Sequence, residues 1–88
     1  MTETPQHHIR ETATLRFALE RPGQVRLEVY DGRGRLVRSL LQARLEAGPH
    51  AWRWDGRDLR GRPAASGTYV ARLVTPDGSL THKMTLLR

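Results

Sequence analysis

The sequence contains no cysteine and a single lysine, Lys83. Without cysteine, neither a disulfide framework nor a thiolate metal site can form. It also lacks long apolar runs, since each is far shorter than the roughly 20 residues needed to cross a bilayer. Residues 1–10 do not contain the apolar middle of a signal peptide. We therefore expect a chain without cofactors and without membrane insertion.

The positive charge is not clustered, although the formal net charge is +6 at pH 7. Nucleic-acid binding favours grouped cations interleaved with exposed aromatic side chains. The arginines are instead spread singly from Arg10 to Arg88, mostly alternating with apolar residues, as solvent-facing strand residues do. This pattern argues against nucleic acid as a partner.

A catalytic set is also missing from the sequence. Ser39, Ser66 and Ser79 have no G-x-S-x-G context. The four histidines show no metal-site spacing such as H-E-x-x-H. We expect no nucleophile, base and orienting residue to converge, and hence no catalytic residues, no metal site and no enzymatic activity.

The sequence does contain repeated alternation of apolar and polar residues with a period of two, which is typical of half-buried strands. The alternating segments are residues 12–19, 25–30, 35–41, 50–54, 68–75 and 80–87. Glycine and proline turn signals separate them at intervals of roughly 8–12 residues, which is characteristic of a sandwich. We predict a linker at residues 1–11 and, at residues 12–88, an all-β, immunoglobulin-like or fibronectin-III-like antiparallel β-sandwich of about seven strands.

The alternation also predicts the core and two irregularities. The residues expected to meet in one dry layer are Leu15, Phe17, Val25, Leu27, Val29, Trp54, Tyr69, Leu73 and Met84. Val37 and Leu40 cannot both face inward at strict alternation, so their strand should have a bulge or apolar contacts on both sides. The first two strands, which flank a proline-glycine turn, are either neighbours or cross between sheets.

Residues 55–67 form the longest irregular segment. The structural residues predicted around it are Trp54, Asp55, Gly56, Asp58, Gly61, Gly67 and Tyr69. A Ca²⁺ site would need six to eight oxygen ligands, and two carboxylates among several arginines make a poor one. We expect Asp55 or Asp58 to accept hydrogen bonds from loop amides and arginines. These bonds would stabilise an irregular backbone whose polar groups cannot all pair with one another.

Several spaced motifs occur in one order along the chain. They are Val29-Tyr30-Asp31-x-x-Gly34-Arg35-x-Val37, Gly48-x-His50, Trp54-Asp55-Gly56-Arg57-Asp58-x-x-Gly61-x-x-x-x-Ser66-Gly67-x-Tyr69 and Lys83-Met84-x-Leu86-Leu87-Arg88. The combination resembles the Ig-like domain of flagellar hook-capping proteins. Through its last motif it resembles more closely the C-terminal sorting domain of type IX (Por) secretion cargo. The resemblance covers roughly residues 12–88.

The resemblance to sorting domains implies a non-catalytic sorting or docking module of a secreted or cell-surface bacterial protein. Its partner would be the secretion machinery. The implied partner-binding residues are Lys83, Met84, Thr85, Leu86, Leu87 and Arg88. As a closing strand, this segment would offer a receptor its edge through main-chain bonds and alternating side chains. Lys83 is the kind of residue that discourages self-pairing of such an edge.

Two other functions remain open. One is a structural assembly domain, hook-cap-like or a filament subunit, that joins copies of itself through strand edges. The other is a carbohydrate-binding accessory domain in which Trp52 or Trp54 stacks on a sugar. The alternation places both tryptophans on one face with His50, and if that face is inward no platform for a glycan remains.

Overall fold

The computed structural model describes residues 7–9 and 13–87, which form six long strands and one strand of three residues. The strands are β1 (His7–Ile9), β2 (Ala13–Leu19), β3 (Gly23–Asp31), β4 (Leu36–Leu45), β5 (Gly48–Trp54), β6 (Gly67–Thr75) and β7 (Gly78–Leu86). Within these two ranges, no helix has the length and apolar character needed to cross a membrane.

The strands are arranged in two sheets, one with the order β1-β7-β6-β3-β4 and one with the order β2-β5. Every pairing is antiparallel except that of β1 with β7, which is parallel. The predicted all-β sandwich is confirmed. Because β2 and β3 belong to different sheets, the chain crosses between sheets in the short connection at residues 20–22.

The segment predicted as a linker contains strand β1. Only its residues 7–9 are described, and they lie beside β7 with His7 opposite Met84 and Ile9 opposite Leu86. The rest of the predicted linker, together with Thr12, lies outside the described residues. The edge of β7 that was predicted to be open is therefore occupied along residues 84–86 by backbone of the same chain.

The core lies between the two sheets and follows the predicted alternation. The nine residues predicted to share one dry layer are all buried, with Tyr69 the most exposed at 6%. Trp54, Leu27 and Met84 are among the largest side chains that are fully buried. Full burial of an apolar side chain of the size of leucine or methionine contributes about 1.5–3 kcal/mol, so this layer is the main source of stability.

Strand β4 contains the predicted irregularity. Its register against β3 shifts between Leu27 and Glu28 and again between Val29 and Tyr30. These shifts place Leu41 in the core, while Val37 and Leu40 pack against it half-buried, so the predicted bulge is confirmed. β4 extends to Leu45 and is longer than the predicted strand, which ended at residue 41.

Candidate functional site

The residues of the last strand are divided between two faces. Met84 and Leu86 have no exposed surface and belong to the core. On the outer face, Lys83 is exposed and Thr85 is half-buried, and beyond the strand Leu87 is 47% exposed. Of the six predicted partner-binding residues, these three reach the surface. Arg88 lies outside the described residues.

The outer face of β7 continues across β6 to β3. Lys83 lies opposite Val70, and Val70 lies opposite Tyr30 on its other side. Together these strands form the floor and walls of a shallow groove of about 600 Å³. The groove is lined by Tyr30, Asp31, Gly32, Gly34, Thr68, Val70, Arg72 and Lys83.

The carboxylate of Glu28, next to the groove, already has a hydrogen-bond partner and a charged partner. The Tyr30 hydroxyl donates a hydrogen bond to Glu28 Oε1 at 2.8 Å, and Arg26 Nε lies 3.5 Å from the same oxygen. The hydrogen bond to Glu28 is the main reason why the pKa of Tyr30 lies above its usual value. Arg72 and Lys83, in contrast, form no ion pair with any carboxylate of the described residues.

One end of the groove is bounded by a turn that Asp31 holds. Its Oδ1 accepts the backbone N–H of Arg33 at 2.9 Å and that of Arg35 at 3.0 Å. Its Oδ2 accepts from the Arg35 guanidinium at 3.0 Å. Above all, the backbone hydrogen bond from Arg35 holds the pKa of Asp31 below its usual value. Both oxygens of the Asp31 carboxylate thus accept hydrogen bonds from residues of the turn.

Asp58 holds a second turn of the same form. Its Oδ1 accepts the backbone N–H of Arg60 at 2.9 Å and that of Arg62 at 3.0 Å, and the latter bond is the main cause of its lowered pKa. Residues 31–35 and 58–62 share the sequence Asp-x-Arg-Gly-Arg. This local repeat is not among the features predicted from the sequence, although it becomes visible when the two pentapeptides are aligned.

The predicted role of Asp55 as an acceptor is also confirmed. Its Oδ1 accepts the backbone N–H of Arg57 and the guanidinium of Arg38, both at 3.0 Å. Arg38 belongs to β4, so this contact ties the loop to the five-stranded sheet. Among the residues that the structure describes, no group of three or more histidine or carboxylate side chains is placed to hold a metal ion.

The other structural residues of the loop are held by backbone and hydroxyl hydrogen bonds. The carbonyl of Gly56 accepts the amide of Ala64 at 2.8 Å, and Gly67 begins β6. The Tyr69 hydroxyl donates to the carbonyl of Ala65 at 2.6 Å. Gly61 closes the second turn, where its amide donates to the carbonyl of Asp58 at 3.0 Å. These contacts give the long irregular segment a defined shape.

Both tryptophans pack with the core. Trp54 is fully buried, its ring tilts against Tyr69 at 5.2 Å between centroids, and its indole N–H donates to the carbonyl of Arg57 at 3.0 Å. Trp52 is half-buried against the core and donates to the carbonyl of Leu40 at 3.1 Å, which connects β5 to β4. Burial removes Trp54 as a platform for a glycan, and the contacts of Trp52 with the core and with β4 argue against the carbohydrate-binding alternative.

The chain matches the FlgD Ig-like domain family over residues 6–84. It is 33% identical over 70 residues to the basal-body rod modification protein FlgD of Salmonella typhimurium, and equally to that of Salmonella typhi. Each alignment covers 76% of this chain and 30% of the relative. The chain therefore corresponds to less than a third of the length of these curated proteins.

Solved structures of PorU and of FlgD proteins are similar to this chain. Latent dimeric PorU of Porphyromonas gingivalis superposes with a TM-score of 0.72 at 29% identity, covering 92% of this chain and 8% of that one. FlgD of P. aeruginosa gives 0.66 at 28% identity, with 85% and 59% covered. FlgD of Xanthomonas campestris, described in connection with hook capping in flagellar assembly, gives 0.56 at 28% identity, with 85% and 55% covered.

Proposed function

Because the chain belongs to the family of FlgD Ig-like domains, we propose that it is a non-catalytic docking module, and specifically a sorting module of a secreted or cell-surface bacterial protein. The resemblance of residues 83–88 to type IX sorting domains and the similarity to PorU both support this proposal. The observation that carries it is that Lys83 and Thr85 lie on the same outer face as Val70 and Thr68 of β6, with the exposed Leu87 directly after the strand.

Recognition takes place on this outer face rather than along the strand edge. Met84 and Leu86 are buried in the core, and β1 pairs with β7 along residues 84–86. A receptor strand could not form main-chain bonds there unless it displaced β1. The side chains that project outward from β7 need no such rearrangement.

The non-catalytic part of the proposal is supported by the roles of the polar side chains. A ring nitrogen of His50 lies 2.7 Å from the carbonyl of Glu46, and its ring stacks on Phe17 at 5.5 Å. The Asp31, Asp55 and Asp58 carboxylates each accept hydrogen bonds from turn amides. These groups stabilise the fold instead of converging on a reacting atom.

Export of a passenger fused to the domain, in a bacterium with type IX secretion machinery, tests the proposal. Truncating the last strand would remove Leu86 from the core, so surface substitutions are preferable. Lys83→Glu with Leu87→Ser should leave the passenger in the cell.

The matched control is Arg53→Glu with Leu59→Ser, which changes an exposed arginine of β5 and a leucine that is 62% exposed. It should preserve export, and thermal melts should show both variants folded. Normal export of the Lys83/Leu87 variant would contradict the proposal.

A structural assembly domain is a second candidate, favoured by the family match and by the similarity to FlgD of Xanthomonas campestris, which is described in connection with hook capping in flagellar assembly. Copies would join through strand edges, and β4 is an outer strand of the larger sheet. Light scattering distinguishes the two functions. A mass that rises with concentration, and falls back when a proline is placed in β4, would favour assembly. A monomer at the highest attainable concentration would argue against it.

A further inference from the structure

We propose that the groove on the outer face binds an extended acidic segment of the partner protein, with acidic side chains at alternate positions. This inference rests on the proposed docking function and specifies the chemistry of the partner. It follows from three features of the groove: the placement of its cations, the contacts that nearby carboxylates already make, and its apolar floor.

The two cations of the groove lie on adjacent strands at a diagonal. Lys83 is opposite Val70, while Arg72, two residues further along β6, is opposite Thr81. Diagonal neighbours on one face of an antiparallel pair are about 7–8 Å apart. In an extended chain, residues i and i+2 lie on one side and about 6.8 Å apart, at 3.4 Å per residue. Two acidic side chains at such positions can therefore reach Arg72 and Lys83 together.

No carboxylate of the described residues forms an ion pair with Arg72 or Lys83, although Glu28 lies opposite Arg72 across β3 and β6. Glu28 accepts from Tyr30 and lies beside Arg26, and Asp31 is bound by two backbone amides and by Arg35. An incoming carboxylate would find Lys83 without an ion-pair partner among the described residues, whereas at Arg72 it would share the guanidinium with the opposing Glu28. Charge-assisted hydrogen bonds to arginine and lysine are stronger than bonds between neutral groups.

The surface between the cations is apolar and narrow. Val70 forms the floor, with Tyr30 on one side and Lys83 on the other. A peptide can place an apolar side chain or its own backbone on this floor while its acidic groups reach outward. A lone phosphate would need donors converging on one point, and a nucleic acid would need a longer row of cations with free aromatic rings. The floor thus favours a peptide.

Titration of the ¹⁵N-labelled full chain with a defined probe tests the inference. The probe is the acetylated and amidated peptide Ser-Glu-Leu-Glu-Leu-Glu-Ser, and the comparator has glutamine in place of each glutamate. We expect amide shifts centred on Val70, Arg72 and Lys83. Arg72→Glu and Lys83→Glu should each weaken binding roughly fivefold, as the loss of one exposed ion pair predicts. The controls Arg16→Glu and Arg53→Glu, on the outer face of the smaller sheet, should bind as the unaltered chain does.

Four results would overturn the inference. They are no binding of the acidic peptide, equal binding of the glutamine peptide, equal weakening by the control substitutions, and the same shifts with inorganic phosphate or a single-stranded oligonucleotide at lower concentration. If the peptide fails but the Lys83/Leu87 variant still blocks export, docking stands and only the acidic partner is wrong. If export is also unaffected, the docking function is wrong as well.

Discussion

Asp31 and Asp58 hold two separate turns with the same set of backbone hydrogen bonds. In each turn one carboxylate oxygen accepts amides two and four residues ahead, at 2.9 and 3.0 Å. In each, the aspartate carbonyl also accepts the amide of the glycine three residues ahead, at 3.0 Å. Asp31 bounds the groove, whereas Asp58 lies in the long loop. The same substitution should therefore change the stability of the fold in the same direction in both turns.

Acidification should weaken both turns. The pKa of each aspartate is lowered, chiefly because a backbone amide donates to its carboxylate. Each aspartate therefore stabilises the fold at pH values above 3.8, its pKa in the unfolded chain. This stabilisation is lost as the pH falls through the pKa of the folded state. Asp31→Asn with Asp58→Asn should therefore reduce stability at pH 7 and flatten its decline below pH 3.8. Urea unfolding at a series of pH values measures this. Asp77→Asn, which alters a carboxylate held by the Arg21 side chain, is the control. An unchanged acid dependence in the double variant would contradict this role.

Alanine at Gly34 or Gly61 should destabilise the fold by about 1 kcal/mol each, because both have positive φ, 81° and 79°. No atom lies within 4 Å of an added Cβ at either position, so the cost comes from the backbone alone. Denaturant midpoints should shift by similar amounts. Gly32 in the first turn has an ordinary φ and its added Cβ would lie 3.8 Å from the Thr68 carbonyl, so Gly32→Ala should be tolerated. A larger cost at Gly32 than at Gly34 would show that the turn geometry is different.

Trp54→Ala should lower the free energy of unfolding by about 3–5 kcal/mol, because it removes a fully buried ring and leaves a cavity. Trp52→Ala should cost less, since Trp52 is half-buried. Chemical denaturation of both variants gives the comparison. Equal costs, or a Trp54 variant as stable as the unaltered protein, would place Trp54 outside the core and restore it as a candidate binding surface.

Glu28→Gln should lower the pKa of Tyr30. The hydrogen bond to Glu28 is the largest cause of the raised value, and the negative charge of Glu28 adds to it. A ¹³C NMR titration of the tyrosine ring carbons separates Tyr30 from Tyr69. The unaltered protein, titrated under the same conditions, is the control. An unchanged Tyr30 titration would mean that the 2.8 Å contact does not persist in solution.

Much of the fold follows from local pattern, because alternation sets which face is buried. Leu15, Val25 and Trp54 were assigned to the core on this ground, and the bulge in β4 followed from the mismatch of Val37 and Leu40. Strand β1 could not be predicted in the same way. Three residues contain too little alternation to reveal a strand, and its parallel partner β7 is at the other end of the chain.

The candidate site was only partly predictable for a related reason. The sequence predicts residues 83–88 as the partner-binding segment, but the division of residues 83–87 into accessible and buried members depends on the facing sheet. The groove requires the register of three strands, which brings Tyr30, Val70 and Lys83 into one row. That register depends on contacts between residues distant in sequence, which no single strand encodes. The occupied edge likewise appears only once β1 is placed.

Site-specific photo-crosslinking during passenger export tests most directly which face is recognised. Lys83 and Arg53, exposed on opposite outer faces of the sandwich, are replaced in turn by p-benzoylphenylalanine. Recognition through the outer face of the last strand predicts a discrete crosslink to an envelope protein from position 83 and none from position 53. A crosslink from position 53 alone, or equal crosslinks from both, would contradict it.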